Sequence, residues 1–271
     1  MKIANVKRFL LHTIAGKALT LVLAVALWLL VWHIAAIRLS KPLLLPLPLT
    51  VAKRLWELIL THDFWRYTLR SLLRVIGGIV SGVGVAAIIA SLTAAFRPVE
   101  MLLTPLISVI KSTPVASFII LAMLWIGDDV LPIFISFLMV FPVVWANLHT
   151  ALRSIPQPYH DLARVYHLPL WRRIRRIYVP SAFPYFLSSC RSSLGLAWKA
   201  GIAAEVLALP ALSIGKQLNE SKLYLETTDL FAWTVVVIVL SLVLELAAHV
   251  LFRQLQKNTD KQQKNREDGI W

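Results

Sequence analysis

Lys111, Arg191, Lys199, Glu205 and Glu245 are ionisable side chains that sit inside otherwise apolar stretches. A charge in lipid is costly and normally faces a partner or a water-filled passage. Lys111 lies 13 residues beyond Pro98, roughly 20 Å in along a helix that rises about 1.5 Å per residue. Lys199 is about 17 residues into its own stretch and reaches a comparable or slightly greater depth. Two ammonium groups at that depth could line a translocation pathway for an anion, with Glu205 beside them. The alternative is that each lysine snorkels or pairs with a carboxylate on a neighbouring helix, Glu205 being one candidate.

Catalytic and metal chemistry find less support. His160 and His167 fall seven residues apart, two turns along one helix face or about 10 Å, too far for one zinc. Cys190 is the one cysteine, which excludes a disulfide framework and a multi-Cys zinc site. No base is adjacent to it in sequence. An intramembrane enzyme would need Asp161, His160 and the buried carboxylates as acid and base groups, but no paired carboxylates or nucleophile with base stand at usable spacing. The pairs Gly16-Lys17 and Gly215-Lys216 precede Ala18 and Gln217 where a phosphate-binding loop needs Ser or Thr. Leu11 and Pro210 stand where its earlier Gly is required.

The elements that must carry these residues follow from composition. Of 271 residues 58% are hydrophobic and 15% charged, with a mean hydropathy of +0.71, so the bilayer is the expected solvent. Residues 18–37, 75–96 and 130–152 are uncharged windows long enough to span. Residues 101–127 carry Lys111, residues 182–209 carry Arg191, Lys199 and Glu205, and residues 230–252 carry Glu245. The expectation is an all-α polytopic membrane protein of six transmembrane helices, a single domain over 1–271. Its first window reads as a span and not as a removed signal.

Net charge is +14, which topology explains more simply than nucleic-acid binding. Basic residues cluster before the first span (Lys2, Lys7, Arg8, Lys17), in the 153–181 loop (Arg153, Arg164, Arg172, Arg173, Arg175, Arg176) and in the tail (Arg253, Lys257, Lys261, Lys264, Arg266). With six spans all three fall on one side, so both termini and that loop are expected to be cytoplasmic. The acidic turn at Asp128 and Asp129 is then external. Segment 38–74 disagrees, with seven Lys/Arg against Glu57 and Asp63. Within it, residues 50–60 read as an interfacial helix starting at Thr50, with Val51, Leu55, Leu58 and Ile59 set against Lys53, Arg54 and Glu57.

Small residues recur every fourth position in two spans. Gly78, Gly82, Ala86, Ala90 and Ala94 form one ridge; Ser189, Ser193, Ala197, Gly201 and Glu205 form another that ends in a carboxylate. Such ridges let a neighbouring backbone approach closely, and the first is expected to support a dimer. Pro105, Pro114, Pro132 and Pro142 are expected to interrupt the third and fourth spans. Trp32 and Trp125 read as interfacial anchors, while Trp28 and Trp145 lie deeper and read as packing.

The 153–181 loop holds the most specific pattern. Proline stands at 158 and 169, and nothing between Tyr159 and Tyr166 breaks a helix. Leu162, Val165 and Tyr166 would form an apolar face with no lipid to enter, which wants a protein partner. Asp161-Leu162-Ala163, then His167, Ile177, Val179 and Pro180, keep the spacing of a signature written Glu-Ala-Ala, three residues, Gly, nine residues, Ile, one residue, Leu-Pro. Here the chain resembles the inner-membrane permease of a binding-protein-dependent ABC importer, of the type I architecture. His167 replaces the signature's Gly. Leu45-Pro46-Leu47-Pro48, Ser71-Leu72-Leu73-Arg74-Val75, Gly195-Leu196-Ala197-Trp198 and Ala203-Ala204-Glu205 look like the nitrate, sulfonate and taurine branch. Thiamine-precursor importers look similar to that branch.

The resemblance implies a bacterial inner-membrane homodimer with an external solute-binding protein. Two cytoplasmic ATPase subunits would use ATP and Mg, with no cofactor on this chain and no nucleic acid partner. The ATPase would grip residues 158–169 through Tyr159, Asp161, Leu162, Ala163, Val165, Tyr166 and His167. Asp161 would complement the dipole of the first helical turn, and Ala163 would allow close approach. A small anion such as a sulfonate, taurine or nitrate is the favoured solute. An ion-driven carrier coupled through Glu205 and Glu245 is the alternative, but inverted repeats are not evident.

Overall fold

The computed structural model describes the backbone of residues 14–268 and the side chains of residues 19–255. Lys2, Lys7 and Arg8 lie outside the described residues, as do the side chains of Lys17, Lys257, Lys261, Lys264 and Arg266. The described chain is helical, with no strand. The helices are α1 (Ile14–Leu39), α2 (Pro48–Ile59), α3 (His62–Ala95), α4 (Arg97–Ser112), α5 (Val115–Ala122) and α6 (Leu131–Arg153). There follow α7 (Gln157–Val165), α8 (Leu170–Arg173), a π-helical stretch Ile174–Tyr178, α9 (Val179–Ala208), α10 (Ile214–Leu223) and α11 (Thr227–Asp268).

Helices α1, α3, α6 and α11 are long and apolar enough to cross a membrane, and the α4–α5 pair makes a fifth crossing if counted as one broken span. Helix α9 has 30 residues, about 45 Å by helical rise. It has the length for the sixth expected span while carrying Arg191, Lys199 and Glu205. Of the four prolines, Pro114 alone separates two helices. Thr113 before it is extended (ψ 131°), as the steric demand of a following proline favours, and the two halves meet at 103°. Pro105 and Pro142 lie inside α4 and α6, which run through them. Pro132 opens α6, where a missing N–H costs nothing.

The contacts divide the chain into two compact units: the residues up to Phe64 with Leu218–Val235, and Trp65–Gln217 with the residues from Val236 onward. In the first, α1 leaves nearly all of its apolar surface open. Trp28 is exposed, not packed as expected, because α1 has few neighbours along its length. Trp32 donates Nε1–H to the Pro46 carbonyl at 3.1 Å and lies 5.6 Å from the Phe231 ring. Helix α2 begins at Pro48, two residues before the expected cap. Thr50 therefore sits in its first turn, donating its hydroxyl back to the Leu47 carbonyl at 2.7 Å. Arg54 grips Asp229 through Nε and Nη2 at 2.6 and 2.8 Å, the fork geometry that makes Arg–carboxylate pairs strong.

The second unit is built around α9 packed on α6, with α3 against both. On the first small-residue ridge, an added Cβ at Gly78 would come 2.6 Å from Ser136 Cβ, and one at Gly82 would come 3.0 Å from Val140 Cβ. Ala86 and Ala90 are fully buried. This ridge is spent on α6 of the same chain, so it gives no support to a dimer. The second ridge is buried along Ser189, Ser193, Ala197 and Gly201, and Ser136 Oγ donates to the Ala197 carbonyl at 3.2 Å. An added Cβ at Gly201 would meet Ser136 Oγ at 2.5 Å and Val75 Cγ2 at 2.7 Å. Trp145 packs as expected, its Nε1–H on Thr93 Oγ1 at 3.1 Å.

Candidate functional site

Three groups of residues in the second unit bear on function. The first surrounds Glu205, which is completely buried. Its Oε2 accepts the Ser71 hydroxyl at 2.6 Å and the Gly215 N–H at 3.2 Å. Its Oε1 receives Arg74 Nη1 at 3.4 Å. Arg74 also donates to the Leu212 carbonyl at 2.6 Å and to Asp129 Oδ1, and Ser71 Oγ accepts the Ile214 N–H at 2.9 Å. Gly215 lies against Glu205, where an added Cβ would reach the Glu205 carbonyl carbon at 2.5 Å. Glu205 thus pairs with Arg74 and not with Lys199; its carboxylate is held by Ser71 and Arg74 of α3 and by Gly215 at the start of α10. Arg74 was counted above as a loop charge, yet its side chain is only 11% exposed.

That pairing bears on topology. Two of the seven basic residues of 38–74, Arg54 and Arg74, are each engaged by two carboxylates. The unexpected charge in that segment is therefore partly neutralised within the fold. Arg74–Asp129 brings the middle of α3 and the α5–α6 turn together, whereas Glu100 at the start of α4 takes Arg153 at the end of α6, with the His149 ring 3.4 Å from the same carboxylate. The ion pairs thus sit at opposite ends of α6.

The second group is α7 with the turn after it. Helix α7 ends at Val165, four residues short of the expected 169. His167 takes a left-handed φ of 44°. Its N–H bonds the Arg164 carbonyl and the Leu168 N–H bonds the Ala163 carbonyl, at 3.1 and 3.0 Å. This is the paired bonding of a Schellman cap, in which glycine is the usual left-handed residue. The signature's Gly position is thus a real left-handed corner, filled here by histidine. Leu168 packs on the cluster of Ala163, Ile155 and Ile177, as the cap's hydrophobic contact requires. Pro169 does not end α7; it caps α8.

Exposure divides the residues of α7. Ala163 is 2% exposed and seats the helix on its own chain, so it does not offer an outward point of approach. Tyr159, Leu162, Val165 and Tyr166 stand out from the surface, continued by Leu170 and Trp171. Asp161 lies in the second turn, because α7 starts at Gln157 and has no acid in its first turn. It sits 3.6 Å from Arg164, with both exposed. His160 faces inward, its ring 5.9 Å from Tyr178, and helps line a largely apolar cavity of about 760 Å³.

The third group is the outer face of α9. Ser188, Arg191, Ser192, Leu196 and Lys199 are exposed there, opposite the buried small-residue ridge. Lys111 is exposed in the last turn of α4, where a cation complements the free carbonyls. The structure does not bring Lys111 and Lys199 into an ion pair with any described carboxylate.

The described residues are all-helical, with several helices long and apolar enough to cross a membrane, a buried polar network around Glu205 and a protruding apolar helix, the build of a multi-pass membrane protein. The family model for the binding-protein-dependent transport system inner membrane component matches residues 82–261, and the chain belongs to that family. It is 26% identical over 214 residues to SsuC of Bacillus subtilis, whose name assigns it to aliphatic sulfonates transport, covering 79% of this chain and 77% of that one. It is 26% identical over 241 residues to the riboflavin transport system permease protein RibX of Chloroflexus aurantiacus, covering 88% and 89%. It is 24% identical over 242 residues to the taurine transport system permease protein TauC of Escherichia coli, covering 87% and 86%. A crystallised amino acid ABC transporter with histidines has the same fold at a TM-score of 0.52, with 14% identity over 71% of this chain and 90% of that one.

Proposed function

We propose that this permease is the membrane subunit of an ATP-driven importer, working as a homodimer with two cytoplasmic ATPase subunits and an external solute-binding protein. Both termini and the 153–181 loop face the cytoplasm, and six crossings deliver α7 to that side. The observation that carries the reading is the helix α7. Its buried Ala163 fixes it to the chain, while Leu162, Val165 and Tyr166 present exposed apolar surface on a short helix outside the candidate spans. Such a face is completed by a protein partner, and the position coincides with the family signature. ATP and Mg belong to that partner.

The solute is small. An anion is favoured by the exposed basic residues of α9, Arg191 and Lys199, at the depth of mid-span, with Lys111 on α4 as a further candidate; a relative named for aliphatic sulfonates agrees with this. Uptake into proteoliposomes holding this chain and its ATPase is the test. Solute accumulation that needs ATP hydrolysis and the binding protein supports the reading. Accumulation driven by an ion gradient without ATP would return it to a secondary carrier.

A further inference from the structure

A cavity of about 430 Å³ lies between the middle of α9 and α11, lined by Ser188, Arg191, Ser192, Gly195 and Glu245. Among the described residues neither Arg191 nor Glu245 has a hydrogen-bond or ion-pair partner, so two opposite charges face one cavity without meeting each other. Arg191 is 12 residues into the 30 of α9, about 18 Å from its start. Charges at such a depth are stabilised by a partner or by a polar cavity. The absence of a side chain at Gly195 is part of the arrangement, since a Cβ there would lie 2.9 Å from Glu245 Oε1. Glycine lets the carboxylate rest close to the α9 backbone while leaving Arg191 free.

The chemistry of the lining selects a ligand. A guanidinium beside the Ser188 hydroxyl offers the forked donors that suit a carboxylate or sulfonate, while Ser192 donates its own hydroxyl to the Ser189 carbonyl at 3.1 Å. Glu245 offers only acceptors, which suit an ammonium group. A purely anionic solute at Arg191 would meet the Glu245 carboxylate, and a purely cationic one at Glu245 would meet Arg191. The volume falls in the range of small-molecule sites.

We infer that this cavity is a binding site for a small zwitterion, an amino acid or aminosulfonate, whose anionic group is held by Arg191 with Ser188 and whose amine is held by Glu245. The inference rests on the permease reading and narrows its solute from an anion to a molecule of both charges.

The test is equilibrium binding to the full-length chain in lipid nanodiscs, with taurine, ethanesulfonate and ethanolamine as probes. Taurine is expected to bind at least about tenfold more tightly than either single-charge probe, since a charge-assisted hydrogen bond contributes that much. Glu245→Gln should weaken taurine by about tenfold and leave ethanesulfonate unchanged or tighter, while Arg191→Ala should weaken both. The site is overturned if ethanesulfonate binds as well as taurine, if Glu245→Gln leaves taurine unchanged, or if none of the three probes binds. It is also overturned if either single substitution separates two copies of the chain and the swap Arg191→Glu with Glu245→Arg rejoins them, which would make the pair a contact between copies. ATPase co-purification is scored on the same samples, so a complex that assembles but binds no probe removes this site alone, whereas loss of the ATPase from the wild-type chain counts against the permease reading.

Discussion

Arg74 and Glu205 meet at 3.4 Å although 131 positions separate them, and the contact joins α3 to α9 with one partner fully buried. Removing one member of such a pair leaves an uncompensated charge, at a cost of about 3–5 kcal/mol. Arg74→Met should therefore lower the unfolding temperature of the chain in detergent by several degrees. The double variant with Glu205→Met should recover part of that loss, because well-packed apolar replacements of a buried pair are often neutral. Additive losses in the double-mutant cycle would show that the two residues act independently.

Gly78 and Gly84 lie on the same helix but on different faces. A side chain at Gly78 collides with the α6 backbone and Ser136, while nothing lies within 4 Å of a Cβ at Gly84. Gly78→Leu should leave little folded chain in the membrane, and Gly84→Leu should be recovered at the wild-type level. The yield of monodisperse protein on size-exclusion chromatography distinguishes them. Equal recovery would mean that α3 does not pack on α6 through this ridge.

Histidine in a left-handed corner is strained by about 1–2 kcal/mol relative to glycine. His167→Gly should preserve or raise ATP-driven uptake, and His167→Val should reduce it by loosening the cap beneath α7. Amide hydrogen exchange at Leu168, whose N–H closes the cap on Ala163, is the direct measurement. Faster exchange in the glycine variant than in the wild type would contradict the strain argument.

Hydropathy made the long helices legible, because an apolar run of span length has few alternatives in a bilayer. The same signal could not say which proline breaks a helix. Pro114 and Pro142 look alike in sequence, and only the structure shows α6 passing through Pro142 while Thr113 turns extended. Glu205 was legible as an unusual charge, but its partner Arg74 sits at a span boundary where a basic residue passes for a loop charge. The apolar face of α7 was visible from Leu162, Val165 and Tyr166. The inward turn of Ala163 was not, since it depends on Ile155 and Ile177 from either side of the helix. The charge of Glu245 was noted on its own; its neighbourhood with Arg191 spans 54 positions and needed the packing of α11 on α9.

Docking of the ATPase on α7 is tested most directly by placing a photo-reactive benzoylphenylalanine at Leu162, Val165 or Tyr166, with Trp56 on α2 as an exposed control. Irradiation of the assembled complex should join the chain to the ATPase from each of the three α7 positions and not from Trp56. Cross-links to the ATPase from Trp56, or from none of the α7 positions, would contradict the assignment of this helix as the ATPase contact.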